Sequence, residues 1–323
     1  MDKPLIIFHK DCADGFTSAW IANKCLKTMG ITPELYGGMY GKDVPDVTDR
    51  DVYLVDFTYS KDVILEMAKL AKSITILDHH ETAMNQWINH QGGGTYFEIN
   101  MVNETKPESL SINQKIGKCI LSVRFNMKNS GAMMTWKHFS KLAKHDTLGN
   151  DNDAPMLVQY VQDRDLWNWH LPNSREISSY IFSFEYTLEN WTRLEAELKS
   201  PELRLLATQA GEGIDRKHFK DIKEFLAIAT TKMTIGGFEV DVTNAPYHWS
   251  SDAAHILGEG KPFGASYYER GDGFRVFSLR SDEKGENVGV IAKKYGGGGH
   301  AHAAGFQVPR GWNGEEDPHA WID

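Results

Sequence analysis

Cysteine is scarce in this chain: Cys12, Cys25 and Cys119 among 323 residues, with no paired spacing. That excludes a disulfide framework and fits a reducing compartment. Long hydrophobic runs are missing too, and no stretch approaches the roughly 18 apolar residues of a transmembrane helix. Residues 1–8 carry no secretory apolar region and read directly as a first strand. The expected location is therefore cytoplasmic, without a membrane partner. Positive charge is in deficit, with 35 Lys and Arg against 44 Asp and Glu and a formal net charge of −9. A groove for long duplex nucleic acid needs clustered cations, so that class of partner is excluded. A short anionic substrate is not, because bound metals invert the local field. Hydrophobic content of 41% and charge of 24% are ordinary for a soluble globular protein, and the length allows two domains.

What the sequence does have is a set of short clusters rich in histidine and aspartate. They are His9-Lys10-Asp11-Cys12-Ala13-Asp14-Gly15, Val55-Asp56, Asp78-His79-His80 and Asp163-Arg164-Asp165. A glycine run, residues 296–299, precedes His300 and His302. Hard oxygen donors mixed with imidazoles suit divalent Mn, Mg, Co or Zn. Several carboxylates suggest two metals rather than one, and a metal pair is a standard device for hydrolysing phosphate esters.

The hydrophobic pattern places these clusters. Residues 5–8, 52–55 and 74–77 are short apolar runs, the second ending at Asp56 and the third at Asp78. Helical spacing over residues 15–29 and 61–71 alternates with them. This predicts an α/β fold with a mainly parallel sheet covered by helices, ligands lying beyond the carboxyl ends of the strands. Residues 32–36 and 95–102 are expected as further strands, residues 103–117 and 145–153 as polar loops, and residues 130–142 and 155 onward as helices. Residues 174–232 look mostly helical, with a long segment starting at Asp215. A second, smaller α/β unit follows from about residue 233, with a Gly236-Gly237 hairpin, strands over residues 263–268 and 274–280 and a helix over 288–295. The expected domains are 1–200, a helical linker 201–232, and 233–323.

Neighbours on an extended segment point opposite ways, so His79 is assigned as a metal ligand and His80 as a contact to phosphate or water. Asp78 is a ligand or fixes an imidazole tautomer. His9 and Asp14 flank a turn into a helix, and Asp11 is a ligand, a supporting carboxylate or a cap. Cys12 reads as a packing residue, a soft ligand being the other reading. Asp56 ends a buried strand and needs a metal or a partner; it is the expected bridging ligand, with Asp163 as the second bridge. Asp165 is expected to pair with Arg164 or cap a turn. Arg280 can grip phosphate, and Gly297, Gly298, Gly299 and His300 can let it approach the backbone. Trp167 and Trp169 could stack a base.

With Ser130-Gly131-Ala132, Ser278-Leu279-Arg280-Ser281 and Ala303-Ala304-Gly305-Phe306 added, these segments resemble the DHH phosphoesterase superfamily with its associated C-terminal domain. The likeness runs in order along nearly the whole chain. Many members carry two aspartates one residue apart in the first motif; here Asp11 and Asp14 stand three apart. The resemblance implies an N-terminal catalytic domain with two divalent metals, often Mn, with Mg or Co as alternatives. It implies His9, Asp14, Asp56, His79 and Asp163 as ligands, with His80, Asp56 and Asp163 catalytic, and a C-terminal domain binding substrate through Arg280, Ser281, Gly297, Gly298, Gly299 and His300. The implied activity is hydrolysis of short oligonucleotides or small nucleotides by a metal-activated hydroxide, as in oligoribonuclease, nano-RNase and RecJ-type members. A homodimer is compatible with it. A pyrophosphatase or exopolyphosphatase, and a non-catalytic nucleotide-binding regulator, are the alternatives.

Overall fold

The computed structural model describes residues 3–88, 96–103, 106–142 and 153–314. The chain divides into two compact units, Met1–Asp215 and Arg216–Asp323.

The first unit is built on a seven-stranded sheet. Its elements in chain order are β1 (Leu5–His9), α1 (Ala13–Thr28), β2 (Glu34–Gly38), β3 (Asp51–Val55), α2 (Lys61–Leu70), β4 (Ser73–Asp78), α3 (Glu81–Met84), β5 (Tyr96–Asn103), β6 (Lys106–Ile116), β7 (Cys119–Asn126), α4 (Gly131–Leu142), α5 (Met156–Asp165), α6 (Ser174–Phe182) and α7 (Leu188–Lys199). The sheet order is β2-β1-β3-β4-β7-β6-β5. The first five of these run parallel, and β6 and β5 add antiparallel at one side. Alternate strand residues feed two cores, as the period of two requires. Ile6, Val55 and Leu77 pack with α1, α4, α5 and α7 on one face. Leu5, Ile7, Leu54, Ile74 and Ile76 pack with Ile64 and Met67 of α2 on the other. Trp191 Nε1 donates to Thr17 Oγ1 at 2.8 Å inside the first of these cores, fixing α1 against α7.

The mainly parallel α/β architecture is the one expected, with two departures. Residues 106–116, expected as a polar loop, form the strand β6, which pairs β5 and β7 along its length. Its polar residues alternate with buried Leu110 and Ile112, so one side of the strand is solvated and the other is core. The long helix α8 (Pro201–Ala229) starts at Pro201 rather than Asp215, because proline is well placed in a first helical turn. Of the expected loop at 145–153, all but Asp153 lies outside the described residues.

The second unit takes the C-terminal part of α8 and a six-stranded sheet of order β12-β13-β11-β10-β9-β8. Its elements are β8 (Thr230–Ile235), β9 (Phe238–Asn244), α9 (Ser250–Gly258), β10 (Gly264–Glu269), β11 (Phe274–Arg280), α10 (Val288–Lys294), β12 (Gly298–Gly299) and β13 (Ala303–Pro309). Its core is aromatic, with Phe277 stacked on Phe306 at 4.8 Å and Trp312 edge-on to both. Among the described residues no helix is long and apolar enough to cross a membrane.

Candidate metal centre

Three adjacent parallel strands end side by side. Phe8 of β1 pairs Val55 of β3, which pairs Leu77 of β4. The residues that follow are His9, Asp56 and Asp78-His79-His80, so hydrogen-bond register alone brings the three clusters to one edge. Asp56 leaves its strand with φ +54°, a left-handed conformation uncommon outside glycine, and its side chain is 1% exposed. Strain of that kind collects at functional sites.

Helix ends complete the arrangement. Asp14, in the first turn of α1, accepts hydrogen bonds from Gly131 N (2.6 Å) and Ala132 N (3.0 Å), so its carboxylate caps α4. Ser130 Oγ accepts from Met133 N, and Ser130 N donates to Gln162 Oε1 at 3.1 Å. Two close approaches demand glycine. A β-carbon at Gly15 would meet His9 Cβ at 2.7 Å, and one at Gly131 would lie 2.8 Å from Asp56 Cα and 2.9 Å from Asp14 Oδ2. In the sequence alone neither clearance is visible, because each depends on a strand end remote in the chain or across a turn.

One imidazole nitrogen sits at the centre. His79 Nε2 lies 3.1 Å from Asp56 Oδ1, 3.4 Å from Asp165 Oδ2 and 3.8 Å from Asp14 Oδ2. His9 Nδ1 lies 3.6 Å from Asp56 Oδ2, and the Cys12 thiol donates to the same oxygen across 3.5 Å. Asp78 accepts from the main-chain N–H of His79 (2.7 Å) and of His80 (3.2 Å), and its Oδ1 holds His80 Nδ1 at 2.7 Å. Asp78 is therefore the group that orients His80, leaving Nε2 as the nitrogen for ligation or donation.

Two residues lie elsewhere than expected. Asp163 does not join the cluster: its carboxylate accepts from His170 N (3.0 Å) and Leu171 N (3.1 Å), tying down the turn after α5. Asp165 takes the place foreseen for it. Residues two apart on a helix point about 200° away from each other, so only one can face the site; Asp163 faces back toward the turn. Asp11 is exposed with φ +57° in the turn before α1 and belongs to neither of the ligand groups described below. Cys12, read as packing, lies against Asp56. A cysteine two residues before Asp14 was the available signal.

The electrostatics describe a site short of positive charge. Burial, together with Asp56 and Asp165, pushes the Asp14 carboxyl well up, opposed by His79 and a hydrogen bond from Ser130. Burial and Asp56 push Asp165 up as well, opposed by His79. Burial works against ionisation of Asp56, but the imidazoles of His79 and His9 hold its carboxyl well below the usual range. Burial opposes protonation of His79, yet Asp165, Asp56 and Asp14 raise its pKa to about 10. Burial likewise raises the Cys12 thiol, with Asp56, Asp165 and Asp14 adding to it.

This donor set fits divalent cations. His9 Nδ1, Asp56 Oδ1 and Asp165 Oδ2 are buried and face their neighbours without hydrogen-bond geometry. Two triads, His9–Asp56–His80 and Asp14–His79–Asp165, each place three ligand atoms within 4.8 Å of one another. Three carboxylates this close are costly without a cation, and carboxylate with imidazole is a donor set for Mn, Co or Zn.

In the second unit, Arg280 donates to Leu279 O at 2.8 Å and to Ser251 Oγ of α9. Ser281 donates to Glu286 O, and its Oγ lies 3.0 Å from His302 Nδ1. Gly298 and Gly299 pair with β13, and a β-carbon at Gly297 would collide with Gly305 O. The glycine run is thus packed on a strand, and His300 N donates to Ala303 O at 2.8 Å. Trp167 and Trp169 meet edge to face at 5.6 Å, with the Arg164 guanidinium 4.7 Å from the Trp167 ring and the Arg175 guanidinium 4.5 Å from that of Trp169.

No family model matches the chain. It is 25% identical over 322 residues to an uncharacterized protein of Acanthamoeba polyphaga mimivirus, covering 94% of this chain and 66% of that one, so the chain spans just under two thirds of that relative. Similar solved structures include the pGpG-specific phosphodiesterase PggH of Vibrio cholerae, with 15% identity and TM-score 0.43, covering 96% of this chain and 94% of that one. RecJ of Thermus thermophilus in complex with Mn2+ is 13% identical with TM-score 0.38, covering 94% of this chain and 49% of RecJ. An uncharacterized protein from Helicobacter pylori G27 has 13% identity and TM-score 0.40, covering 97% of this chain and 94% of that one. At these similarities the chemistry has to be argued from the site itself.

Proposed function

We propose that the chain is a divalent-metal-dependent phosphoesterase whose substrates are the phosphodiesters of short oligonucleotides or small nucleotides. The observation that carries this reading is the pair of ligand triads at the strand edge, joined through Asp56. Its Oδ1 faces His79 and its Oδ2 faces His9, as a shared ligand requires. Asp14, His79 and Asp165 would hold one ion and His9, Asp56 and His80 the other. Mn2+ is the proposed occupant, with Mg2+ or Co2+ as alternatives. When bound, such ions neutralise charge at phosphorus and lower the pKa of water.

The protein's own groups do the rest. Asp78 fixes the ring and tautomer of His80, so that Nε2 is the nitrogen that would be turned to the second ion. Asp14 holds its carboxylate in place through the α4 amides. His79 gives up its proton when it ligates, so ion binding releases protons and weakens as pH falls. On the second unit, Arg280, Ser281 and His300 with Gly297, Gly298 and Gly299 are the proposed holders of a substrate phosphate.

The test is hydrolysis by metal-stripped protein, with and without Mn2+. The panel is 5′-phosphorylated di- to pentanucleotides of RNA and DNA, cyclic dinucleotides, 3′-phosphoadenosine 5′-phosphate, pyrophosphate and polyphosphate. Release of mononucleotides from the short oligomers, restored only by Mn2+, is the expected result. Cleavage confined to pyrophosphate or polyphosphate would replace the reading with a phosphoanhydride hydrolase. Nucleotide binding without any turnover would replace it with a regulator.

A further inference from the structure

Beside the metal centre, the first unit carries a polar cavity of about 640 Å³ lined by Asn126, Met127, Lys128, Asn129, Lys137, Leu166 and Asn168. A second cavity of about 230 Å³ shares Asn126, Asn129 and Lys137 with it, so the two open on common walls. The second adds Arg124, Lys141 and His138 together with the polar side chains Asn100, Ser109 and Ser111. The larger volume is within the range of small-molecule sites.

The position of the trough follows from chain continuity. Residues 126–129 run directly into Ser130 and Gly131, whose amide donates to Asp14. Leu166 and Asn168 closely follow Asp165. Lys137 Nζ donates to Asn129 Oδ1 at 2.9 Å, and Asn129 Nδ2 reaches Gln162 Oε1 at 3.4 Å. A connected row of side chains therefore leads from the α4 N-terminus and the end of α5 across the carboxyl end of β7.

Its charge is out of keeping with the rest of the chain. Four cations, Arg124, Lys128, Lys137 and Lys141, fall within 18 consecutive residues of a protein whose net charge is −9. Glu98 lines the smaller cavity and Glu108 pairs Lys128, so carboxylates accompany the cations there. Burial, with Arg124 and Lys141 adding to it, brings the pKa of His138 down to about 4. Cations set among asparagine and serine side chains suit a ligand that alternates phosphate with hydrogen-bonding bases.

We infer that this trough is an extended substrate subsite, in which Lys137 and Arg124 hold phosphates of nucleotides beyond the scissile one. It would make the enzyme prefer oligonucleotides of three or more residues to dinucleotides. The inference rests on the proposed phosphodiesterase reading but is tested separately from it.

The experiment has two readouts on the Mn2+-loaded protein, its Lys137→Ala/Arg124→Ala variant and the charge-keeping Lys137→Arg variant. The first is kcat/KM for 5′-phosphorylated di-, tri- and pentanucleotides. The second is anisotropy binding of the same oligomers, labelled, in Ca2+ as a slow-turnover ion. The double variant should lose about tenfold or more in kcat/KM and in affinity for tri- and pentanucleotides, and less than about twofold for the dinucleotide. Lys137→Arg should stay near wild type. Equal losses at all lengths, or none, overturn the subsite and leave the phosphodiesterase reading standing. If wild type hydrolyses nothing, that reading falls, while length-dependent loss of binding in the double variant still supports the subsite and its absence overturns it.

Discussion

Asp165→Asn should lower turnover by about 10³-fold or more, equivalent to about 4 kcal/mol of transition-state stabilisation. Asp163→Asn, two residues earlier, should leave turnover within about tenfold and reduce stability instead. The two carboxylates differ in what they face. Asp165 Oδ2 lies 3.4 Å from His79 Nε2, beside Asp14 and Asp56, where a neutral amide would remove one of three negative ligands. Asp163 accepts from His170 N and Leu171 N, and an amide there can replace at most one of those acceptors. The expected cost is about 1–2 kcal/mol of unfolding free energy. Steady-state kinetics in saturating Mn2+, isothermal titration of Mn2+ into stripped protein and urea unfolding together separate the cases. If Asp163→Asn abolished Mn2+ binding and Asp165→Asn did not, the assignment of these two residues would be reversed.

Gly131→Ala should be nearly as damaging although it adds one methyl group and removes no ligand. Its β-carbon would lie 2.8 Å from Asp56 Cα and 2.9 Å from Asp14 Oδ2, and the first of these is main chain that cannot swing aside. Either α4 shifts, breaking the two amide bonds to Asp14, or Asp56 moves from its strained left-handed position. A displacement of about 1 Å in such a site costs on the order of 10²-fold, and overpacking costs about 1–3 kcal/mol of stability. The discriminating comparison is Ala132→Gly, the next position along α4. It should lose about 1 kcal/mol in stability through helix propensity and keep turnover within a few-fold. Equal kinetic losses in the two variants would mean that helix stability, not clearance around Asp56, governs the effect.

Much of this arrangement could be read from the chain because it is written locally. Four-residue apolar runs stopping at His9, Asp56 and Asp78 specify buried parallel strands, and the rule that such sheets bind ligands past their carboxyl ends places those residues together. Strand β6 was hidden because its alternation is carried by Leu110 and Ile112 among serine, lysine and glutamine, a weak signal against a polar average. Choosing between Asp163 and Asp165 needed the rotational phase of α5, and a boundary uncertain by one residue turns a helix by about 100°. The proximity of Cys12 and the cap that Asp14 provides were unreadable for a different reason. The first depends on β3 bringing Asp56 alongside the start of α1, and the second on α4, separated from α1 by more than a hundred residues, returning to lie against it. Lys137 and Arg124 belong to no motif in the sequence, and it is β7 and α4 together that put them on one wall.

The centre draws its groups from two kinds of scaffold. His9, Asp56 and His79 stand at the ends of neighbouring strands, where sheet hydrogen bonding holds chains at a spacing of about 4.8 Å. Asp14, Asp165 and Cys12 come from helix termini, which no ladder locks in register. Substitutions that preserve apolar character within β1, β3 and β4 leave the first set on its lattice, while a one-residue slip of any strand would turn its ligand to the opposite face. The helix-borne set can be retuned in small increments, by sliding or rotating α1 or α5. Selectivity among cations of different radius is therefore most adjustable at positions 12, 14 and 165, and an effort to exchange one ion for another has its best starting points there.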